Sequence, residues 1–269
     1  MELPPHHQQV LDRFIAACNA DDRIVAGYLS GSYARGAADS YSDIDLDLIT
    51  TDDAYEEFCA SREAFIRQLG DPLLFEDFDV PFVAFFIFPD DAECELVISR
   101  ESQISESHDV PYKILVDKKG ILKGGALPWQ KIPPDEQNEN LRREIFWFWH
   151  DLSHFITAMG RRQLWWAHGQ LEVLRLMCVN LAHLRHDFSA SAEGYDKIEL
   201  TLPIEQLAPL ESSFCPLEYG PMLQAGLTIV QFYREIAPAL AANHGIAYPH
   251  VLEQLMLARL DKLRSVQKS

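Results

Sequence analysis

The stretch from Gly27 to Thr50, GYLSGSYARGAADSYSDIDLDLIT, constrains the fold more than any other part of the chain. An apolar segment containing Val25, Tyr28 and Leu29 runs into Gly31-Ser32, a turn opens, and a second segment carries Asp43, Asp45 and Asp47. Successive side chains of an extended strand point to opposite faces, so the aspartates share one face and Ile44, Leu46 and Leu48 the other. The apolar face needs a cover. The acidic face repels itself and gains nothing for folding. A bound cation is the simplest reason to tolerate it.

A glycine-serine turn followed by two carboxylates one residue apart suits nucleoside triphosphate chemistry. Gly31 permits close backbone approach, and Ser32 can donate to a phosphate oxygen through its hydroxyl and its backbone N–H. Magnesium prefers carboxylate oxygens together with substrate phosphates. Asp43 and Asp45, joined by a third carboxylate from a neighbouring strand, would hold two such ions roughly 3.5–4 Å apart. No Gly-Lys-Ser/Thr follows the glycine, which rules out a Walker A loop. Small residues from Ser32 to Ala38 predict a short helix whose free N–H groups face an anion.

Around this stretch the pattern predicts mixed α/β structure. A helix is expected over residues 6–20, a strand over 24–30 and an amphipathic helix over 53–69, stopped by Gly70-Asp71-Pro72. Val80–Phe88 and Cys94–Ser99 read as a hairpin around Pro89-Asp90-Asp91, and KILVDKKGIL (113–122) as a further short strand pair. Gly124-Gly125 and Pro128 through Pro133-Pro134 form a breaker-rich boundary. Beyond it the chain reads as helices over 136–159, 163–185, 218–242 and 249–266, with an irregular stretch at 190–216. The expected fold class is therefore α+β, an N-terminal mixed sheet with flanking helices (1–130) followed by an all-α helical bundle (131–269).

Charge narrows the partners. The chain has 41 Asp and Glu against 23 Lys and Arg, a net charge of -18. A protein that grips a nucleic-acid backbone carries a basic patch, so nucleic acid is not expected as a partner. An acidic cleft concentrates cationic small molecules instead. The five cysteines are widely spaced with no CxxC pair, which predicts reduced, mostly buried thiols and a cytoplasmic protein. No basic leader precedes an apolar run near Met1, so no signal peptide is expected, and Val80–Phe88 is too short to span a membrane.

GSYARG followed by SDIDL resembles the signature of the DNA polymerase β-type nucleotidyltransferase superfamily: a Gly-Ser turn, a short spacer, then two aspartates alternating with apolar residues. Here Ser32 and Asp43 stand eleven positions apart. The family takes a third carboxylate from a later strand, and Glu95 in CELVIS fits, with Glu93 on the same face as its competitor. Within the superfamily the chain is most similar to antibiotic nucleotidyltransferases, of the two-domain lincosamide type and their aminoglycoside counterparts, through KILVDKKGIL, RRQLWWAHGQLEVLRL and YDKIEL. The resemblance implies that Ser32 binds the triphosphate, that Asp43 and Asp45 hold magnesium, and that Glu95 is third ligand or general base. It implies that residues 131–269 bind the acceptor and that Lys197 contacts the triphosphate. Arg35 either reaches a phosphate or pins the turn. Asp47 is expected to be a solvated or hydrogen-bonded carboxylate.

Other candidates are weaker. Trp147, His150, Asp151 and His154 occur at helical spacing just past the boundary; His150 and His154 stand one helical turn apart, but no HExxH or third ligand accompanies them, so a structural or surface role is expected. Trp165, Trp166 and Glu172 either line an acceptor pocket or pack in a core. The function expected is magnesium-dependent transfer of AMP from ATP to a hydroxyl of a small cationic antibiotic, releasing pyrophosphate. The alternative is a protein or RNA acceptor, and a homodimer is compatible with the sequence.

Overall fold

The alternation is realised over Ile44–Thr50 as one strand of a six-stranded sheet whose two faces differ, with Asp43 just ahead of it. In the computed structural model, residues 4–104, 110–122, 126–127, 132–189 and 194–266 are described. Backbone contacts divide the chain into two compact units, Met1–Gln130 and Lys131–Ser269.

The first unit opens with α1 (Pro5–Ala20), whose Val10, Leu11, Phe14 and Cys18 are buried on one side, the spacing of an amphipathic helix. Then come β1 (Ile24–Leu29), α2 (Gly31–Arg35) and β2 (Ile44–Thr50). Helices α3 (Tyr55–Ala60) and α4 (Arg62–Leu69) follow, then strands β3 (Leu74–Glu76), β4 (Val83–Ile87), β5 (Glu93–Arg100), β6 (Val110–Pro111), β7 (Lys113–Asp117) and β8 (Ala126–Leu127). The main sheet runs β3-β4-β5-β2-β1-β7, and β6 pairs with β8. Only β2 and β5 pair in parallel; the other main-sheet pairs are antiparallel.

Ile44, Leu46 and Leu48 on β2 and Leu96 and Ile98 on β5 pack under α1, α3 and α4 with Phe14, Phe58 and Phe65. Gly27 lets α1 lie close on β1, since a Cβ there would meet the Phe14 ring at 2.9 Å. The opposite face is covered by a small cluster of Val25, Ala26, Tyr28, Ile49, Tyr112 and Leu122. Asp45 and Asp47 share that second face.

Three local expectations are corrected. The 53–69 helix breaks at Ser61, whose hydroxyl donates back to the carbonyls of Glu57 (2.9 Å) and Phe58 (3.2 Å) and closes α3. The 113–122 segment is no hairpin: β7 pairs with β1, and Asp117 accepts from the backbone N–H of Ile121 and Leu122, so the chain turns without a return strand. Strand β3, not expected, pairs with β4. Of the boundary, Gly124, Gly125 and Pro128 lie outside the described residues, while Pro133-Pro134 opens the next helix.

The second unit is helical: α5 (Pro134–Gly160), α6 (Leu164–His186), α7 (Ile198–Thr201), α8 (Ile204–Glu211), α9 (Tyr219–Asn243) and α10 (His250–Val266). α5 and α6 form a hairpin across a tight turn in which Arg162 adopts φ +56°. Gly226 on α9 sits where a Cβ would strike the Phe155 ring at 2.4 Å, so α5 and α9 approach closely. At the centre Phe148 and Tyr233 stack with centroids 3.6 Å apart, and the Tyr233 hydroxyl donates to the Ile145 carbonyl at 2.8 Å. Trp149 is fully buried beside them, whereas Phe146 and Trp147 are exposed, so this aromatic stretch of α5 divides between core and surface.

Candidate active site

Strand β1 delivers the chain to Ser30, and Gly31 turns it with φ +57°, a left-handed conformation that favours glycine. Sterics demand glycine there a second time: a Cβ on Gly31 would lie 1.5 Å from the Asp45 carboxylate oxygen. The turn is folded directly onto the second aspartate. The Ser30 N–H also donates to the Asp45 carbonyl at 3.1 Å, fixing turn and strand in one register. Ser32 follows in α2, and its hydroxyl oxygen is buried without a hydrogen-bond partner. A buried hydroxyl with no partner costs free energy that an incoming acceptor oxygen recovers.

Asp45 and Glu95 sit opposite each other at the same level on the parallel strands β2 and β5. Burial and then the charges of Asp45 and Asp43 push the Glu95 carboxyl above its ordinary range. Asp43 stands one residue before β2, is exposed, and acts electrostatically on Glu95. Glu93 opens β5 two residues earlier, is exposed, and pairs in register with Ile87. Glu95, the more buried of the two, is the one beside Asp45.

Asp47 is the buried member of the row. Burial raises its carboxyl to about 7, with Asp45 and Glu95 acting in the same direction and hydrogen bonds from Ser30 and Tyr28 opposing. It is hydrogen-bonded rather than solvated. Its two hydroxyl partners were not foreseen, because they depend on the β1–β2 register that sets Tyr28 opposite Asp47.

The residues therefore fit the group expected of them: carboxylate oxygens for a hard divalent cation, and beside them an unpartnered hydroxyl for a phosphate. Arg35 ends α2 and is exposed. Tyr33, between Ser32 and Arg35, hydrogen-bonds through its hydroxyl to His7 Nδ1, which tethers α2 to α1. A cleft of about 910 Å³ beside α2 is lined by Leu29, Tyr33, Gly36, Asp39, Ser40 and Lys113. Leu29 faces the helices, so this cleft belongs to the other side of the sheet from Asp45 and Glu95.

Lys197 lies in the helical unit, preceding α7 with φ 52° and ion-paired to Asp196 at 2.7 Å. Glu172 pairs with Arg175 and accepts from the Tyr195 hydroxyl at 2.6 Å. Arg175 itself is 3 % exposed and also binds Ser213, so this is an internal brace holding the irregular stretch to α6. Trp165 is 83 % exposed and Trp166 37 %, so neither is a core residue.

The sequence model of the streptomycin adenylyltransferase family matches residues 6–263. No curated protein sequence matches the chain. Similar solved structures include an aminoglycoside 6-adenyltransferase from Bacillus subtilis, 15% identical, covering 97% of this chain and 99% of that one with a TM-score of 0.43. A nucleotidyltransferase-like protein from Exiguobacterium sibiricum is 10% identical, covering 85% of this chain and 75% of that one with a TM-score of 0.40. A STING-associated CdnE c-di-GMP synthase from Capnocytophaga granulosa is 11% identical, covering 87% and 81% with a TM-score of 0.31.

Proposed function

The chain belongs to the streptomycin adenylyltransferase family and is a nucleotidyltransferase; from that premise we propose that it transfers AMP from ATP to a hydroxyl of a small cationic aminoglycoside, releasing pyrophosphate. One observation supports the chemistry above the rest. Gly31 folds the phosphate-binding turn onto Asp45, which lies level with Glu95 on the next strand.

In this reading Asp43, Asp45 and Glu95 hold divalent metal, and Ser32 donates its unpartnered hydroxyl to a phosphate oxygen. Bound magnesium would neutralise phosphate charge and acidify the acceptor hydroxyl. The acceptor oxygen bonds to the α-phosphorus, the bond from that phosphorus to the bridging oxygen breaks, and pyrophosphate leaves with the electron pair. Glu95 takes the hydroxyl proton. Arg35 is assigned to a phosphate oxygen, as is Lys197, whose ion pair with Asp196 a phosphate would replace.

The acceptor assignment is supported by the family and by a net charge of -18, which attracts polyamine sugars. Residues 131–269 are proposed to bind that acceptor, with the exposed Trp165 and Trp166 offering faces for a sugar ring.

The test is incubation of the purified protein with ATP, magnesium and a panel headed by streptomycin, with pyrophosphate release and adenylylated drug as readouts. Stoichiometric release with one aminoglycoside is the expected result. Consumption of no antibiotic, with radiolabel from [α-32P]ATP entering protein or RNA, overturns the reading.

A further inference from the structure

Within the second unit, helix α5 carries a further group of metal-ligating side chains. His150 and His154 stand one turn apart with ring centroids 4.5 Å from each other. Asp151, between them in sequence, is only 9 % exposed, and its carboxylate meets His150 Nδ1 at 2.9 Å. One ligand atom from each of the three lies within 4.8 Å of the others. Asp151, which the sequence reading named beside the two histidines without giving it a ligand role, is the third candidate donor.

We propose that His150, Asp151 and His154 form a binding site for a zinc-class transition-metal ion, with a donor set unlike the sheet carboxylates proposed to hold magnesium. Two imidazole nitrogens and one carboxylate oxygen are a donor set that suits Zn2+, Co2+, Ni2+ and Cu2+, whereas Mg2+ prefers oxygen and water. Tetrahedral zinc with bonds of about 2.0–2.2 Å needs ligand atoms roughly 3.3–3.5 Å apart. The ligand atoms of the three residues, within 4.8 Å of one another, would have to draw together by about 1.3–1.5 Å to reach that distance. Two histidines at i and i+4 are the spacing at which a helix presents two rings to one ion.

The surroundings suit the assignment. Trp147 lies against His150 with centroids 5.3 Å apart, and Trp166 against His154 at 5.9 Å, so both imidazoles are flanked by flat aromatic walls. The His150 side chain is 53 % exposed, which leaves a path for the ion and an open position for water or an outside ligand. Asp151 is nearly buried, and its recorded partner is His150; a cation would satisfy the carboxylate more fully than one imidazole does. Three protein ligands and an open fourth position make a site that can exchange its outer ligand.

The experiment uses the full-length, untagged protein after chelator treatment, titrated with Co2+ while the visible d–d bands of low-symmetry cobalt are followed. One equivalent of bands is expected, abolished by added Zn2+ and untouched by millimolar Mg2+. His154→Ala should weaken cobalt binding at least ten-fold, and Asp45→Asn should leave it unchanged. His150→Gln, at a half-exposed position, gives a second variant whose fold is checked by circular dichroism. Bands that survive both histidine variants, bands lost in Asp45→Asn, or no bands at all overturn the proposal. None of these outcomes bears on nucleotide transfer, which is read from pyrophosphate.

Discussion

At the scale of single residues, the decisive contact is between Gly31 and Asp45. The turn glycine is usually justified by its freedom to adopt positive φ, and here φ is +57°. Yet the space its missing Cβ leaves is already filled by the Asp45 carboxylate. Two costs therefore attend Gly31→Ala: about 1–2 kcal/mol for the left-handed backbone, and displacement of the aspartate. They can be separated by a double-mutant cycle. In Asp45→Ala the offending oxygens are gone, and the nearest remaining Asp45 atom is the Cβ at 3.2 Å. Gly31→Ala should cost about 2–4 kcal/mol in the wild-type background, by combining that backbone strain with overpacking. It should cost about 1–2 kcal/mol less when Asp45 is alanine. Urea unfolding of the four proteins in metal-free buffer measures the coupling. Additive losses would mean that the turn and the aspartate are independent. Each of the three variants should also lose transfer activity.

At the scale of elements, β2 holds in Asp47 a carboxylate that the fold disfavours when charged. Burial lifts Asp47 to about 7, above its value in an unfolded chain. A carboxyl whose folded value is raised binds its proton more tightly in the native state. Stability is then present at low pH and is lost as pH climbs from about 4 through about 7. Metal-free wild-type protein should therefore lose about 2–4 kcal/mol between pH 5 and pH 8 from this group. Asp47→Asn, which can still accept from Ser30 and Tyr28, should flatten that slope. Denaturant unfolding at several pH values in the presence of chelator gives the comparison, and identical slopes would assign the pH dependence elsewhere.

Much of this element was legible beforehand. Alternation from Asp43 to Thr50 fixed which side chains share a face, because the pleat allows no other answer. The choice of Glu95 as companion to Asp45 followed from motif resemblance, and the parallel register sets the two residues level on neighbouring strands. What escaped were features decided by partners distant in sequence. KILVDKKGIL has hairpin composition, but β1 offers β7 a longer ladder than its own return could. Tyr28 and Ser30 as donors to Asp47 have no periodic signature. The long helices of the second unit were legible from their apolar stripes. The breaks at Ser61 and around α7 and α8 were harder to place, since single side-chain bonds such as those of Ser61 and Arg175 decide them.

At the scale of the whole molecule, the excess of 41 acidic over 23 basic residues sets a field that the two proposed substrates would feel with opposite sign. A polycationic aminoglycoside is drawn toward such a surface, and a magnesium nucleotide, still anionic, is repelled. Salt weakens both effects, because the Debye length shrinks from about 30 Å at 0.01 M to about 8 Å at 0.15 M. The two Michaelis constants should therefore move apart in a diagnostic way. Raising ionic strength from 0.02 to 0.3 M should increase KM for the acceptor several-fold, while KM for magnesium ATP stays level or falls. The effect on the acceptor should grow with its number of amines, so a panel of aminoglycosides of different charge, assayed for initial rate by pyrophosphate release, supplies its own control. Chemistry at the sheet is shielded by close contacts and should respond less, leaving kcat nearly constant. If acceptor KM is insensitive to salt, recognition rests on shape and hydrogen bonds rather than on charge. If both constants rise together, the salt is acting on the fold instead.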